Sequence, residues 1–158
     1  MKRRNFIQNT ALAAALLPLT SLAGCTPATP LHQIIHQKAA LLKQFPYQGY
    51  ADCQYFILSK GSFSHPSIKG REALVFCREG QVQSYTIHGD EVDEFDHLKA
   101  SLVQQYGAPT ASWQNLYGES HSWQNEHTQI SLCVSNGRKD TPPGLYYTEA
   151  AAEGPVLT

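Results

Sequence analysis

The first 24 residues decide how much of this chain is available to form a folded domain. The chain begins with three positive charges within its first four residues, and the short apolar run 11–19 follows them. Ala23 and Gly24 then precede Cys25. This order of charged, apolar and small residues is typical of an export signal that is removed by cleavage. Because the apolar run is too short to span a bilayer of about 30 Å as a helix, we predict a signal peptide over residues 1–24.

The four residues Leu22-Ala23-Gly24-Cys25 resemble the lipobox of bacterial lipoproteins, in which the chain is cut before the cysteine. The resemblance implies a diacylglycerol joined to Cys25 by a thioether, with a further acyl chain on its amine in many bacteria. Two or three acyl chains hold a protein firmly on a membrane. We therefore expect a membrane lipid anchor at Cys25, with residues 25–30 as a tether. Position 26 is Thr rather than Asp, which in a Gram-negative host favours the periplasmic face of the outer membrane.

The start of the leader also resembles a twin-arginine export motif. Arg3 and Arg4 are followed by one spacer residue, Phe6 and an aliphatic residue, whereas Lys2 and Gln8 depart from the usual pattern. The resemblance implies that the domain crosses the membrane already folded. Export by the general secretory route is the alternative, and both routes lead to the cell envelope.

The part of the chain after the leader has the size of one domain. Removal of 24 residues leaves 134 of the 158, a length that buries about two thirds of its unfolded surface. The leader holds three of the 12 Lys and Arg residues, so nine basic residues remain against 13 acidic ones. This balance argues against nucleic-acid binding. We predict a single domain over residues 31–149 and a frayed tail over 150–158.

Three cysteines, Cys53, Cys77 and Cys133, remain beside the cysteine at the predicted cleavage site. An oxidising compartment favours disulfide formation, so we predict one bridge among the three and one buried thiol. Three free thiols in a packed core are the alternative. Since no two cysteines have C-x-x-C spacing, neither a zinc knuckle nor a thioredoxin-like redox site is indicated.

Hydrophobic spacing predicts two helices in the mature chain. The first begins near Pro30, with Thr29 as its cap, and ends at Pro46. The second begins at a capping Asp90 and ends at Gly107. Their predicted buried residues are Leu31, Ile34, Ile35, Leu42 and Phe45 in the first, and Val92, Phe95, Leu98, Leu102 and Tyr106 in the second.

Strand-like runs separate and follow these helices. We predict strands at 50–58, 71–78, 81–88, within 111–123, at 128–134 and, as an edge, at 145–148. The second and third of these form a hairpin about a two-residue turn at Glu79-Gly80. The bulkier face of that hairpin should pack against a helix. It carries Leu74, Phe76, Tyr85 and Ile87.

Runs of strands broken by single helices indicate an α+β domain. We predict an antiparallel sheet of about five strands with two helices, one face of the sheet being covered. The segment from the second helix through Gly107 and Pro109 to Trp113 and Trp123 resembles the helix, Gly-x-Pro, aromatic-strand pattern of SmpA/OmlA-type envelope lipoproteins. The two-helix, three-strand order of that family is not reproduced, so no binding residues are transferred from it.

The sequence contains none of the common motifs for nucleophilic, zinc-dependent or phosphate-binding catalysis. His32 and His36 would share one face of the first helix, and His121 and His127 flank the Trp123 hairpin. Each pair lacks the third ligand that a metal site needs. We therefore predict a protein that is not an enzyme and has no catalytic residue, no metal site and no cofactor.

Aromatic residues interspersed with small polar ones gather in the C-terminal half. Large rigid rings among small polar residues are typical of recognition surfaces, although the same rings can fill a core. The candidate binding residues are Trp113, Tyr117, Trp123, Tyr146 and Tyr147.

Together these features predict an envelope lipoprotein whose small domain binds a protein or glycan partner. Two alternatives stay open. One is an inhibitor of a periplasmic hydrolase or an immunity protein, which would insert segment 60–70 or 113–127 into its target. The other is a metal-handling lipoprotein that uses the histidines. No sequence feature indicates an oligomeric state.

The predicted anchor is tested by Cys25→Ser in the full chain. The variant should leave the membrane fraction or stay uncleaved, because no other residue is expected to carry lipid. Palmitate labelling and membrane fractionation measure this. Palmitate incorporation equal to that of the unchanged protein would contradict the anchor.

Overall fold

The computed structural model describes residues 27–50 and 52–152. The predicted signal peptide, with Arg3, Arg4 and Phe6, lies outside the described residues, as do Cys25 and residues 153–158. No helix among the described residues is long and apolar enough to cross a membrane.

The described chain is built mainly of strands. The strands are β1 Thr29–Pro30, β2 Tyr47–Tyr50, β3 Cys53–Ser59, β4 Phe63–Ser64, β5 Gly70–Arg78, β6 Gln81–Gly89, β7 Ala111–Asn115, β8 Gly118–Gln124, β9 Thr128–Ser135 and β10 Gly144–Ala151. The described part contains one α-helix, α1 Phe95–Tyr106, and short 3-10 helices at Leu31–Gln33, Ala39–Leu42 and Val92–Glu94. The two-residue strands β1 and β4 pair in parallel with each other.

The other eight strands form one antiparallel sheet in the order β2-β3-β5-β6-β10-β9-β8-β7. The sheet consists of two four-stranded meanders, one before α1 and one after it. The last strands of the two meanders, β6 and β10, pair along the middle of the sheet. Consequently β2 and β7 are its outer edges.

This architecture contradicts the predicted α+β class with about five strands and two helices, because the fold is mostly β and has one α-helix. The first predicted helix does not form, since residues 36–39 bond to the β5–β6 hairpin instead. The His36 N–H donates to the Val82 carbonyl and the Ala39 N–H to the Gly80 carbonyl, both at 2.9 Å. Backbone groups used in this way are not available for helical hydrogen bonds.

The second predicted helix is largely confirmed. Its residues Phe95, Leu98 and Leu102 are buried, and it ends at Gly107, which has φ 82°. The predicted cap is wrong, because the Asp90 carboxylate bonds to Lys60 at 2.7 Å and makes no capping bond to the helix.

The Glu79-Gly80 turn is confirmed, with φ values of 53° and 76° that suit a two-residue hairpin loop. A bulge after the turn changes the pairing, however, since Cys77 lies opposite Val82 but Phe76 lies opposite Ser84. Compared with an unbulged hairpin, every β6 residue beyond the bulge lies on the opposite face relative to its β5 neighbours. The predicted face is therefore wrong: Tyr85 and Ile87 join the core with Ala73, Val75 and Cys77, whereas Leu74 and Phe76 lie on the opposite face.

The core lies on one face of the sheet, beneath α1 and the N-terminal 3-10 helices. We call this side the covered face; its fully buried strand residues include Leu58, Val75, Tyr85, Ile87 and Leu132. The fold extends slightly beyond the predicted domain. Thr29 and Pro30, assigned to the tether, form β1, and β10 continues through Ala150 and Ala151.

Neighbouring residues of β3 test which face is covered. Leu58 is fully buried and Ile57 is partly exposed on the other side. We expect Leu58→Ala to lower the free energy of unfolding by about 2–5 kcal/mol and Ile57→Ala by about 1 kcal/mol or less. Urea unfolding measures both, and equal losses would show that both faces of the sheet are packed.

Candidate functional site

The candidate site is the side of the sheet opposite the core, which we call the open face. Every side chain of its strands is at least partly exposed there, whereas most on the covered face are buried. Strand pairing arranges the open face in three rows that run across the strands. They are Tyr55-Phe76-Ser84-Ala150-Gln129-Gln124, Ile57-Leu74-Thr86-Thr148-Ser131-Ser122-Ala111 and Ser59-Glu72-His88-Tyr146-Cys133-Ser120-Trp113.

One end of the open face is apolar. Tyr55 and Phe76 are cross-strand partners with ring centroids 4.9 Å apart, and Ile57 pairs with Leu74 beside them. Tyr55 is 49% exposed. We call these four residues the apolar block. They leave apolar surface in water, which is typical of a contact surface.

The middle and far side of the open face carry mostly small side chains, and we call this region the floor. Its small residues are Ser84, Thr86, Thr148, Ala150, Ser131, Cys133, Ser120, Ser122 and Ala111. The Thr86 and Thr148 hydroxyls bond to each other at 2.9 Å, and those of Ser122 and Ser131 at 2.8 Å. In each pair one hydroxyl donates and the other accepts, so the Thr86–Thr148 bond links β6 to β10 and the Ser122–Ser131 bond links β8 to β9. Trp113 stands at the far edge and is 51% exposed.

Charge is confined to the margins of this surface. Glu72 and Arg78 lie near the two ends of β5, and the three rows contain no other Lys, Arg, Asp or Glu. The His88 Nδ1 atom lies 3.3 Å from Glu72 Oε1. The His88 ring packs edge-on against Tyr146, with ring centroids 5.0 Å apart. Burial lowers the pKa of His88, although Glu72 opposes the shift. The centre of the open face is therefore uncharged near neutral pH.

The structure divides the five aromatic residues predicted to form a binding surface. Trp113 and Tyr146 lie on the open face, and Tyr117 is 56% exposed in the β7–β8 turn. Trp123 and Tyr147 are buried in the core, so these two assignments are wrong. Each stands at a covered-face position of its strand, because side chains alternate along β8 and β10.

Two further contacts fix the aromatic side chains that do not reach the open face. The buried Trp123 Nε1–H donates to the Gly107 carbonyl at 3.0 Å, which ties β8 to the end of α1. The Tyr117 ring packs against the Arg138 guanidinium at 4.4 Å. Both contacts stabilise the domain, and neither requires a ligand.

The apolar block is the part of the site that sequence reasoning missed. Leu74 and Phe76 were assigned to the core because an unbulged hairpin would place them there. Their positions depend on one inserted residue in β6, which the pattern of hydrophobic residues does not reveal. Tyr55 and Ile57 lie on the same face as Phe76 and Leu74 because they are their partners in the pairing of β3 with β5.

The predicted disulfide is wrong, because Cys53, Cys77 and Cys133 are all free. Cys77 lies on the covered face and the other two on the open face. Cys53 and Cys133 stand on β3 and β9, which three strands separate. That separation is about 19 Å at the usual strand spacing, well beyond the reach of a disulfide.

A network of polar side chains connects α1 with the β7–β8 hairpin. Lys99 donates to the Glu119 carboxylate at 2.5 Å, and His121 Nε2 contacts the same oxygen at 2.5 Å. His121 Nδ1 lies 2.7 Å from Ser112 Oγ. The hydrogen bonds from Lys99 and His121 lower the pKa of Glu119. The order Ser, His, Glu resembles a catalytic triad, but here each member also joins one structural element to the next, and we interpret the network as a structural tie.

The histidines weighed as metal ligands are separated by the fold. Residues 31–36 do not form a continuous helix, so His32 and His36 do not share a helical face. His121 is buried in the polar network and His127 is exposed in the β8–β9 turn. Within residues 27–50 and 52–152, no group of three or more His, Cys, Asp or Glu residues is placed to hold a metal ion.

Comparison of the chain with protein-family models, with curated proteins and with solved structures gives no match. The resemblances to the lipobox, to the twin-arginine motif and to SmpA/OmlA-type lipoproteins therefore remain predictions from the sequence.

A histidine from the 60–70 loop connects the covered face to the N-terminal segment. The His65 ring centroid lies 4.8 Å from that of Tyr147 and 6.0 Å from that of Tyr85, and the His32 ring packs edge-on with its centroid 6.2 Å away. Burial, and then the proximity of His32, lower the pKa of His65 to about 4. Beneath it, the Tyr85 hydroxyl donates to Glu149 at 2.5 Å, and burial raises the pKa of Tyr85.

This arrangement predicts acid sensitivity at His65. The pKa is about 4 in the fold and about 6.5 when unfolded, so the unfolded chain binds the proton more readily. Stability is full above pH ~6.5 and falls as the pH drops towards ~4. We expect the free energy of unfolding of His65→Phe to fall less on acidification, by on the order of 2 kcal/mol. This value allows for the partial exposure of the His65 ring.

Urea unfolding at several pH values between 7 and 4 measures the effect. The exposed His127 supplies the matched control, and His127→Phe should leave the pH dependence unchanged. The same acid loss in His65→Phe as in the unchanged protein would contradict this account.

Proposed function

We propose that the protein is a membrane-anchored envelope lipoprotein whose domain binds a protein partner through the open face. The observation that carries the proposal is an eight-stranded sheet with a core on one side and, on the other, a largely uncharged surface that no element of the described residues covers. An antiparallel sheet can expose one face to water, but its exposed positions are then usually polar and charged. Here most of them are apolar, aromatic or small, and the charged residues Glu72 and Arg78 stand at the margins.

The composition of the open face favours a protein over a glycan. Protein interfaces have few charged residues at their centre, are enriched in aromatic residues and carry polar residues at the rim. The apolar block offers anchor residues, the small-residue floor admits protruding side chains, and Glu72 and Arg78 stand at the margin.

The area of the open face is sufficient for a specific complex. The rows cross up to seven strands, from β3 to β7. Strands about 4.8 Å apart and three rows about 7 Å apart give on the order of 700 Å². A standard interface buries about 800 Å² on each partner. A folded protein that covers this face and its margins would therefore form an ordinary interface.

The proposed anchor restricts where that partner is found. Cys25 precedes β1 by four positions, which span at most about 14 Å of extended chain. A lipid on Cys25 would thus hold the domain close to the membrane surface. We expect the partner to be an envelope protein that reaches this surface, and a hydrolase bound by an inhibitory lipoprotein is one protein of this kind.

The proposal is tested by placing a large charged side chain on the floor. Ser131 lies near its centre on β9, so Ser131→Arg should reduce partner recovery at least tenfold by steric hindrance and uncompensated charge. The control is Gln105→Arg on the exposed side of α1. Full-length tagged proteins are purified from detergent-solubilised envelopes, and partners are quantified by mass spectrometry.

The outcomes separate the alternatives. Loss of one protein with Ser131→Arg and its retention with Gln105→Arg support the proposal, and the identity of that protein shows whether it is a hydrolase. Equal recovery with both variants would contradict the open face as the binding surface. Recovery that ends when the wall polysaccharide is digested would indicate a glycan instead.

A further inference from the structure

We infer that two copies of this chain associate through the free edge of β7, in an antiparallel pairing centred on Trp113. This association is separate from the partner binding proposed above. It follows from the edge strand, whereas partner binding follows from the open face.

The β7 edge lacks the features by which proteins usually prevent strand addition. All five residues Ala111–Asn115 are exposed, and the strand has no charge, no proline and no bulge against β8. The other edge, β2, is four residues long and contains Gly49 at φ 116°, which distorts it. Short or distorted edges are protected against pairing, whereas regular uncharged ones accept another strand.

The hydrogen-bonding groups of β7 alternate in direction. β7 and β8 are joined by a two-residue turn, and Asn115 lies opposite Gly118. The residues that flank such a turn form a hydrogen-bonded pair, and so does the pair Trp113 and Ser120 two residues further on. The N–H and C=O groups of Ser112 and Gln114 therefore point away from β8, towards the free edge.

These outward groups are self-complementary about Trp113. In an antiparallel pairing centred there, Ser112 of each copy lies opposite Gln114 of the other, which gives four backbone hydrogen bonds. Trp113 then faces Trp113 of the second copy in a non-hydrogen-bonded pair, where side chains approach most closely. The two-fold axis is perpendicular to the sheet, so both tryptophans remain on the open face, consistent with an isologous dimer.

The same register covers the large exposed ring of this strand. Trp113 is 51% exposed in the single chain, and in the dimer each Trp113 ring packs against the other across the two-fold axis. The dimer extends the sheet to sixteen strands and joins the two open faces into one surface.

A cysteine at the two-fold axis tests the inference in the full chain. The Cα atoms of a non-hydrogen-bonded pair are about 4.5 Å apart, within the range for a disulfide. We therefore expect Trp113→Cys to form a disulfide-linked homodimer when native membranes are treated with a mild oxidant. The control is Tyr50→Cys, at an 88% exposed position on the other edge. Both are made with Cys53→Ser, because Cys53 is an exposed thiol.

The expected result is at least tenfold more homodimer from Trp113→Cys than from Tyr50→Cys. Addition of Gln114→Pro should reduce it to the control level, since proline removes an outward N–H without breaking a bond to β8. Equal cross-linking at both edges would overturn the inference. So would a disulfide adduct of a different mass, which would place another protein at this edge, or cross-linking that a folded Gln114→Pro variant leaves unchanged.

Discussion

The pairing of β6 with β10 makes one sheet out of two meanders, and the rest of the structure depends on it. Their backbones pair from His88 and Tyr146 to Ser84 and Ala150. Side chains reinforce the junction on both faces, through the Tyr85–Glu149 bond on the covered face and the Thr86–Thr148 bond on the open one. Without this junction each meander would have an additional exposed edge, and neither the core nor the open face would extend across eight strands.

The parts of the fold that could be predicted from the sequence are those set by local chemistry. The helix over residues 95–106 follows from its apolar spacing and from Gly107, and the Glu79-Gly80 turn follows from the need for positive φ. The N-terminal helix could not be excluded in the same way. Its apolar spacing is genuine, but the backbone of residues 36–39 bonds to the β5–β6 hairpin, a long-range contact that spacing does not encode.

The candidate site was only partly predictable, because strand side chains alternate and one inserted residue reverses them. Trp113 and Tyr146 were selected by composition and do lie on the open face, whereas Trp123 was selected for the same reason and is buried. The bulge in β6 moved Leu74 and Phe76 from the predicted core to the open face. Composition thus identified a recognition-like set of residues, and only the register determined which of them are accessible.

The central claim is that one face of the sheet is uncovered within the protein itself. The most direct measurement is the relaxation of methyl NMR signals by a soluble paramagnetic agent in the isolated protein. The account predicts strong broadening for Ile57 and Leu74, on the open face, and protection for Leu58 and Val75, on the covered face. Equal protection of all four residues would contradict it, because it would show that another part of the chain covers the open face.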